Sequence, residues 1–230
     1  MTDDPNAALK RQAAEAAAAL VTDGMAVGLG TGSTAYFAIA NLIARVKQGL
    51  RITAIPTSER SATQAREGGI ELVELTETTR LDLTIDGADS VAAGSLDLVK
   101  GLGGALLREK IVAAASAKLL IVVDGGKLVD KLGMNAPIPV EVVPFGWRRV
   151  AGQMAELGAR PVLRLDPGGS LFHTDGGNFI LDCHMPPIDD PAALDSALQS
   201  IVGVVETGLF ISRTTTVFVA DPAGVRTLTP

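Results

Sequence analysis

Three groups of residues between positions 81 and 110 have side chains suited to acid–base chemistry. They are Asp86-Gly87-Ala88-Asp89, then Lys100-Gly101-Leu102-Gly103-Gly104, then Arg108-Glu109-Lys110. A carboxylate lifted toward neutral pKa can take a proton as a general base. A lysine beside the N–H groups of a glycine turn can stabilise an oxygen that gains negative charge. Two carboxylates on one turn can hold Mg²⁺ through hard oxygen ligands, or can simply form a turn and cap a helix.

Glu109 is the most informative of these. On a helix its neighbours Ala105, Leu106, Val112 and Ala113 are all apolar. Burial of that kind raises a carboxylate pKa toward the range useful for a base. Arg108 and Lys110 have apolar or glycine neighbours at the same spacings, so periodicity leaves open which of the three faces inward. His173 and His184 stand apart from this cluster without metal-ligand spacing, and read as structural or solvent-facing. Trp147 reads as a packing residue.

A second motif precedes the first. Gly28-Leu29-Gly30-Thr31-Gly32-Ser33-Thr34 follows an apolar run and opens a helical one. Free backbone N–H groups and the dipole at a helix N-terminus attract anions, and Ser33 and Thr34 add hydroxyl donors. Ser33 stands where a dinucleotide fingerprint needs glycine, and Pro56-Thr57-Ser58 stands where that fold carries an acid. The loop therefore suits one phosphate better than a nucleotide. The alternative is a plain strand-to-helix turn with Ser33 or Thr34 as cap. Lys127, after a strand end and Gly125-Gly126, is placed either as a phosphate lysine or as an exposed loop residue.

The elements that must position these residues alternate. Strands are expected at 25–29, 51–55, 70–75, 81–85, 96–99 and 118–123. A first helix should start near Asp4 with Pro5 at its first position and carry Lys10. Further helices should cover 35–47, 58–66 with Ser58 as cap, and 105–116. The alternation implies an α/β fold, a Rossmann-like mainly parallel sheet with helices on both faces. After Gly133 the pattern changes. The proline-rich stretch 137–144 reads as a crossing or edge segment. Helices at 147–157 and 191–201, with hairpin-linked strands at 160–165 and 179–183, suggest a small inserted α+β domain. Residues 209–211 and 215–220 should rejoin the first domain. The expected division is 1–132 with 206–230, and 133–205.

Bulk composition narrows the class of partner. The 230 residues suffice for one large domain or one plus a small one. A net charge of -6 argues against nucleic acid. No apolar run of membrane-spanning length occurs, and the opening Thr2-Asp3-Asp4-Pro5 is unlike a secretory leader. Cys183 is the one cysteine, so no intrachain disulfide can form. A reducing cytoplasm is the expected location.

Taken together, residues 28–34, Ile55-Pro56-Thr57-Ser58, 86–89, 100–110 and Leu209-Phe210 resemble the type A ribose-5-phosphate isomerases. The resemblance implies an aldose–ketose isomerase that uses no metal and no cofactor. Its expected partners are a small-molecule sugar phosphate and other copies of itself, as a homodimer or homotetramer, with no nucleic acid and no membrane. It implies Glu109 as general base, with Asp86 and Asp89 handling ring opening and the sugar hydroxyls. Lys100 and the backbone of Gly101, Leu102 and Gly103 would stabilise the oxyanion. Lys10, Ser33, Thr34 and Lys127 would bind phosphate, with Thr31 and Gly32 lining that loop and Gly87 and Ala88 lining the aspartate turn. One departure is Leu102, which interrupts the family's three successive glycines and would be strained if that position required φ > 0. Two other readings use the same residues: a sugar-phosphate effector-binding domain, and a Mg²⁺-dependent phosphohydrolase working through Asp86 and Asp89.

Overall fold

The computed structural model describes residues 4–230. Residues 1–3, part of the acidic opening, lie outside the described residues. The chain runs α1 (Ala7–Ala18), β1 (Ala26–Leu29), α2 (Ser33–Val46), β2 (Thr53–Pro56), α3 (Glu59–Glu67), β3 (Glu71–Leu72) and β4 (Leu83–Asp86). It continues through β5 (Ser90–Ala92), β6 (Leu98–Val99), α4 (Leu106–Ala114), β7 (Leu119–Asp124), a 3-10 turn at Gly125–Lys127, β8 (Leu128–Val129) and β9 (Ile138–Val142). The last part holds α5 (Trp147–Glu156), β10 (Arg160–Leu163), β11 (Phe179–His184), α6 (Pro191–Gln199), β12 (Val204–Thr207), β13 (Leu209–Phe210), β14 (Thr216–Asp221) and β15 (Gly224–Leu228).

Two compact units result. The first contains Met1–Ala88, Arg108–Lys127 and Arg213–Pro230; the second contains Asp89–Leu107 and Leu128–Ser212. The sequence division at 132/133 and 205/206 did not anticipate that 89–107 groups with the second unit. There β5 and β6 pair with β8 and β13 rather than with the large sheet.

The first unit is a seven-stranded sheet in the order β15-β14-β7-β4-β1-β2-β3, parallel throughout except for β15 against β14. Register places Val27 beside Ala54 and Leu83, which face the core formed with α1 and α2. Ala13, Ala14, Ala17 and Ala18 of α1 are fully buried there. Their small side chains bring this helix close to the sheet. The opposite face, where Gly28 is flanked by Ile55 and Thr84, is covered by Val112 of α4. Both faces are thus covered, as a parallel sheet requires.

Some elements differ from expectation. The first helix begins at Ala7, because the Asp4 carboxylate accepts from Asn6 N at 2.9 Å and holds 4–6 as a turn. The third strand shrinks to Glu71–Leu72 at the sheet edge, and β15 adds an unforeseen hairpin partner to β14. Residues 209–210 pair with β6 inside the second unit instead of rejoining the first.

The second unit holds a four-stranded antiparallel sheet, β10-β11-β9-β12, and a smaller one, β13-β6-β5-β8. The proline-rich stretch corrects the edge expectation: β9 lies inside its sheet, paired with both β11 and β12. Pro139 fits because the β9–β12 register ends at Thr207 opposite Val140, and Gly208 next donates its N–H to the Pro139 carbonyl at 2.7 Å. The proline's missing donor therefore falls where the ladder has already stopped.

Candidate active site

In the first unit the chain leaves β1 for β2 and β3 on one side, while β4, β7 and β14 lie on the other. The order reverses between β1 and β4. At such a switch point the loops after adjacent strands diverge and leave a crevice at the strands' carboxyl ends. The loop after β1 runs over residues 30–32 into the start of α2, and the turn after β4 starts at Asp86.

Asp86 ties these two loops together. Its Oδ1 accepts from Thr31 N at 3.0 Å and from Gly87 N at 2.8 Å, and the residue is 1% exposed. A Cβ on Gly30 would lie 2.2 Å from that same oxygen, so only glycine fits beside it. The Thr31 side chain turns the other way. Its hydroxyl donates to Ser58 Oγ at 2.7 Å and lies 2.7 Å from Thr57 Oγ1. Ser61 Oγ in turn donates to Gly30 O at 2.7 Å. The Pro56-Thr57-Ser58 segment is therefore a buried anchor for the β1 loop. Ser58 also caps α3 by accepting from Ser61 N.

The N-cap of α2 is Gly32, at φ 119°, with no side-chain cap bond. Ser33 is thus not used as a cap. Its Oγ accepts instead from Lys10 Nζ at 3.1 Å, and Lys10 also pairs with Asp4 Oδ2 at 2.7 Å. The hydrogen bond from Lys10, then the Asn6 N–H, hold the Asp4 carboxyl below the usual carboxylate range. The charge of Lys127, in the 3-10 turn after β7, acts in the same direction. Lys10 and Ser33, named from the sequence for phosphate, thus meet at the start of α2, and Lys127 lies near enough for its charge to act on Asp4. Thr34 stands opposite Gly87, where a Cβ would meet the threonine Cβ at 3.9 Å. Asp4 was missed; its signal was the i,i+6 spacing to Lys10 across a helix start.

Of the three charged residues on α4, Arg108 points outward to Glu59 at 2.7 Å, while Glu109 and Lys110 are 3% and 8% exposed. Helical periodicity could not separate these two, and both are buried.

The second unit holds Asp89, Lys100 and the glycine turn. Lys100 is 2% exposed with its ammonium 5.5 Å from the Phe210 ring centroid, a cation–π contact. Asp89 Oδ2 accepts from Leu102 N at 2.9 Å. The positive φ values of this turn fall at Gly101 (104°) and Gly104 (84°), so Leu102 carries no left-handed strain. Arg164 Nη1 donates to Gly101 O at 2.8 Å and to Leu102 O at 3.2 Å. This arginine was also missed; a charge beside the Val162–Leu163 end of a strand was its only trace. His173 and His184 are exposed, with the His173 ring edge-on to Phe179. Among the described residues no three His, Cys, Asp or Glu side chains form a group that could hold a metal ion, and no helix is long and apolar enough to cross a membrane.

Fold and site together define a Rossmann-like α/β protein whose anion-type loop and buried carboxylate meet at the sheet's switch point. The family model for ribose 5-phosphate isomerase A (phosphoriboisomerase A) matches residues 53–224. Ribose-5-phosphate isomerase A of Gloeobacter violaceus is 58% identical over 96% of both chains, and that of Gluconobacter oxydans 54% identical over 94% of both. The solved ribose 5-phosphate isomerase A of Methanocaldococcus jannaschii superposes with a TM-score of 0.93 at 41% identity, covering 98% of this chain and 100% of its own. A D-ribose-5-phosphate isomerase in complex with phospho-erythronic acid gives 0.93 at 35% identity, covering 97% and 98%. The chain belongs to the ribose 5-phosphate isomerase A family. It is an aldose–ketose isomerase that interconverts ribose 5-phosphate and ribulose 5-phosphate in the pentose phosphate pathway.

Proposed function

We propose that the isomerisation runs through an enediolate with Glu109 as the base. The Glu109 carboxylate takes the proton from C2 of the open-chain aldose, and the C2–H electron pair forms the C1–C2 double bond. The aldehyde oxygen then carries negative charge, which Lys100 and the backbone of the Gly101–Gly103 turn stabilise. The proton returns to C1 while the C2 hydroxyl proton passes to O1, so that C2 becomes the carbonyl of the ketose. Asp86 and Asp89 move the hydroxyl protons and open the ring. Lys10, Ser33, Thr34 and Lys127 hold the phosphate, with Thr31 and Gly32 shaping its loop and Gly87 and Ala88 shaping the aspartate turn. A sugar-acid phosphate, such as the one bound by the solved relative, has the two anionic ends this arrangement would accept.

The observation that carries this reading is the burial of Glu109 on α4, five residues beyond the glycine turn at Gly104. A carboxylate shielded from bulk water suits proton transfer, and a general base in reach of the proton contributes on the order of 10²–10⁴ in rate. By the same family reasoning we take the two units as two domains of a homodimeric or homotetrameric cytoplasmic enzyme.

The test is Glu109→Gln, with ribose 5-phosphate in D₂O containing excess EDTA. Glutamine keeps the shape but cannot accept the proton. The parent should form ketose with deuterium at C1. The variant should bind sugar phosphate by calorimetry and lose roughly 10²–10⁴-fold in turnover. Near-parental turnover in the variant would remove Glu109 from the mechanism.

A further inference from the structure

We propose that Arg164 is a positioning residue for the oxyanion turn: it fixes the Gly101–Leu102 and Leu102–Gly103 peptide planes so that the Gly103 N–H is presented to the substrate oxygen. The inference rests on the reading above that this turn receives the enediolate oxygen.

Arg164 is itself immobilised. Its Nε donates to Asp182 Oδ2 at 2.9 Å and its Nη2 donates to Asp182 Oδ1, a bidentate pair. The two side chains are 11% and 18% exposed. The guanidinium also lies 5.7 Å from the centroid of the Phe172 ring, which fills the space a Cβ at Gly104 would need. A planar fork held on one edge by a carboxylate and on one face by a ring has little freedom left. Its remaining nitrogen, Nη1, bridges the two carbonyls.

The consequence follows from peptide geometry. Among the described residues there are no cis peptide bonds, so each C=O points opposite to the N–H of the same plane. In the Gly101–Leu102 plane the carbonyl goes to Arg164 and the N–H goes to Asp89 Oδ2. That plane is pinned from both sides. In the Leu102–Gly103 plane the carbonyl goes to Arg164, so the Gly103 N–H is aimed away from the arginine. Gly103 has no side chain and is exposed, so its donor can be approached closely. A donor that is pre-aimed needs no reorganisation when charge develops, whereas one that swings freely does. A cation on two carbonyls also polarises the peptides and makes their N–H groups better donors.

The test compares Arg164→Ala and Arg164→Lys with the parent and with Asp182→Asn. Lysine keeps the charge but cannot hold Asp182 bidentately and bridge two carbonyls at once. The expected result is a fall in kcat on the order of 10–10²-fold in both Arg164 variants, at or below the smallest cost of losing one oxyanion donor outright, with KM within about twofold. Asp182→Asn, which loosens the arginine, should move in the same direction by less. Amide exchange at Gly103, followed by NMR, should quicken in the variants, and added guanidinium should restore part of the Arg164→Ala turnover. If Arg164→Ala does not fold, Arg164→Lys carries the test, with thermal unfolding as the check on its integrity. Parental kcat in a folded Arg164 variant would overturn the proposal, as would losses that rise in KM and fall in melting temperature together. Should Glu109→Gln remain active, the mechanism itself fails; should Glu109→Gln be inactive while Arg164→Lys is unimpaired, only the role of Arg164 fails.

Discussion

Replacing Asp86 tests whether one carboxylate both locks the switch point and takes part in the chemistry. Asp86→Ala removes the acceptor of two backbone N–H groups, Thr31 at 3.0 Å and Gly87 at 2.8 Å. Hydrogen bonds to a charged group contribute ~1.5–3 kcal/mol each, so the loss spans ~3–6 kcal/mol. Alanine also removes a buried charge and recovers its desolvation cost, which places the expectation near the lower end, ~3 kcal/mol. For a chain of this size that is a fall in melting temperature of roughly 6–12 °C. Asp86→Asn keeps an oxygen where Oδ1 stands, so it should melt well above the alanine variant. It cannot exchange protons with the sugar, however, and should turn over far more slowly than its stability suggests. Differential scanning calorimetry with steady-state kinetics on the three proteins separates the two roles. An alanine variant melting within about 2 °C of the parent would refute the clamp. An asparagine variant melting as low as alanine would show that the hydrogen-bond geometry is not the cause.

The phosphate side makes a kinetic prediction: Lys127→Ala should raise KM roughly tenfold or more, from the ~1.5–3 kcal/mol of one charged contact, while kcat changes little. A collapse of kcat at constant KM would move Lys127 to the reacting atoms. The buried thiol makes a pH prediction. Burial first, and the Asp182 charge second, push Cys183 from its ordinary 9.0 up to about 12. The folded state thus holds this proton more tightly than the unfolded chain. The stability it confers is present in full below pH 9 and lost as pH rises toward 12. Cys183 should resist aromatic disulfide reagents at pH 8 until the protein unfolds, and Cys183→Ala should flatten the alkaline limb of stability; rapid labelling of native protein would contradict both.

What was legible in the sequence was local. Gly30 and Gly32 around a strand-to-helix turn, Asp86 at a strand end and Ser58 at a helix start each leave a signature in a few neighbouring residues. What was not legible depends on partners far along the chain. Pro139 looked like an edge residue because a proline lacks a donor, yet the sheet places Gly208 beside it and needs none there. The grouping of 89–107 with the second unit is set by β8 and β13, which no nearby residue announces. On α4 the apolar surroundings of Glu109 were readable, but Lys110 shares them, and only packing turned Arg108 alone outward to Glu59.

Leu102 shows why a glycine pattern is a statement about positions rather than about a run. A run of glycines is needed only where φ is positive or where a side chain would collide. In this turn those places are Gly101, whose Cβ would meet the Leu106 Cβ at 2.8 Å, and Gly104, whose Cβ would meet Phe172 Cζ at 2.3 Å. Position 102 has neither demand, and its side chain is 42% exposed. What the turn requires of it is its two peptide groups, the N–H held by Asp89 and the carbonyl held by Arg164. Any residue with an ordinary backbone supplies those. A leucine adds apolar surface without altering the direction in which the next N–H points, so the departure from three glycines leaves the backbone geometry of the turn intact.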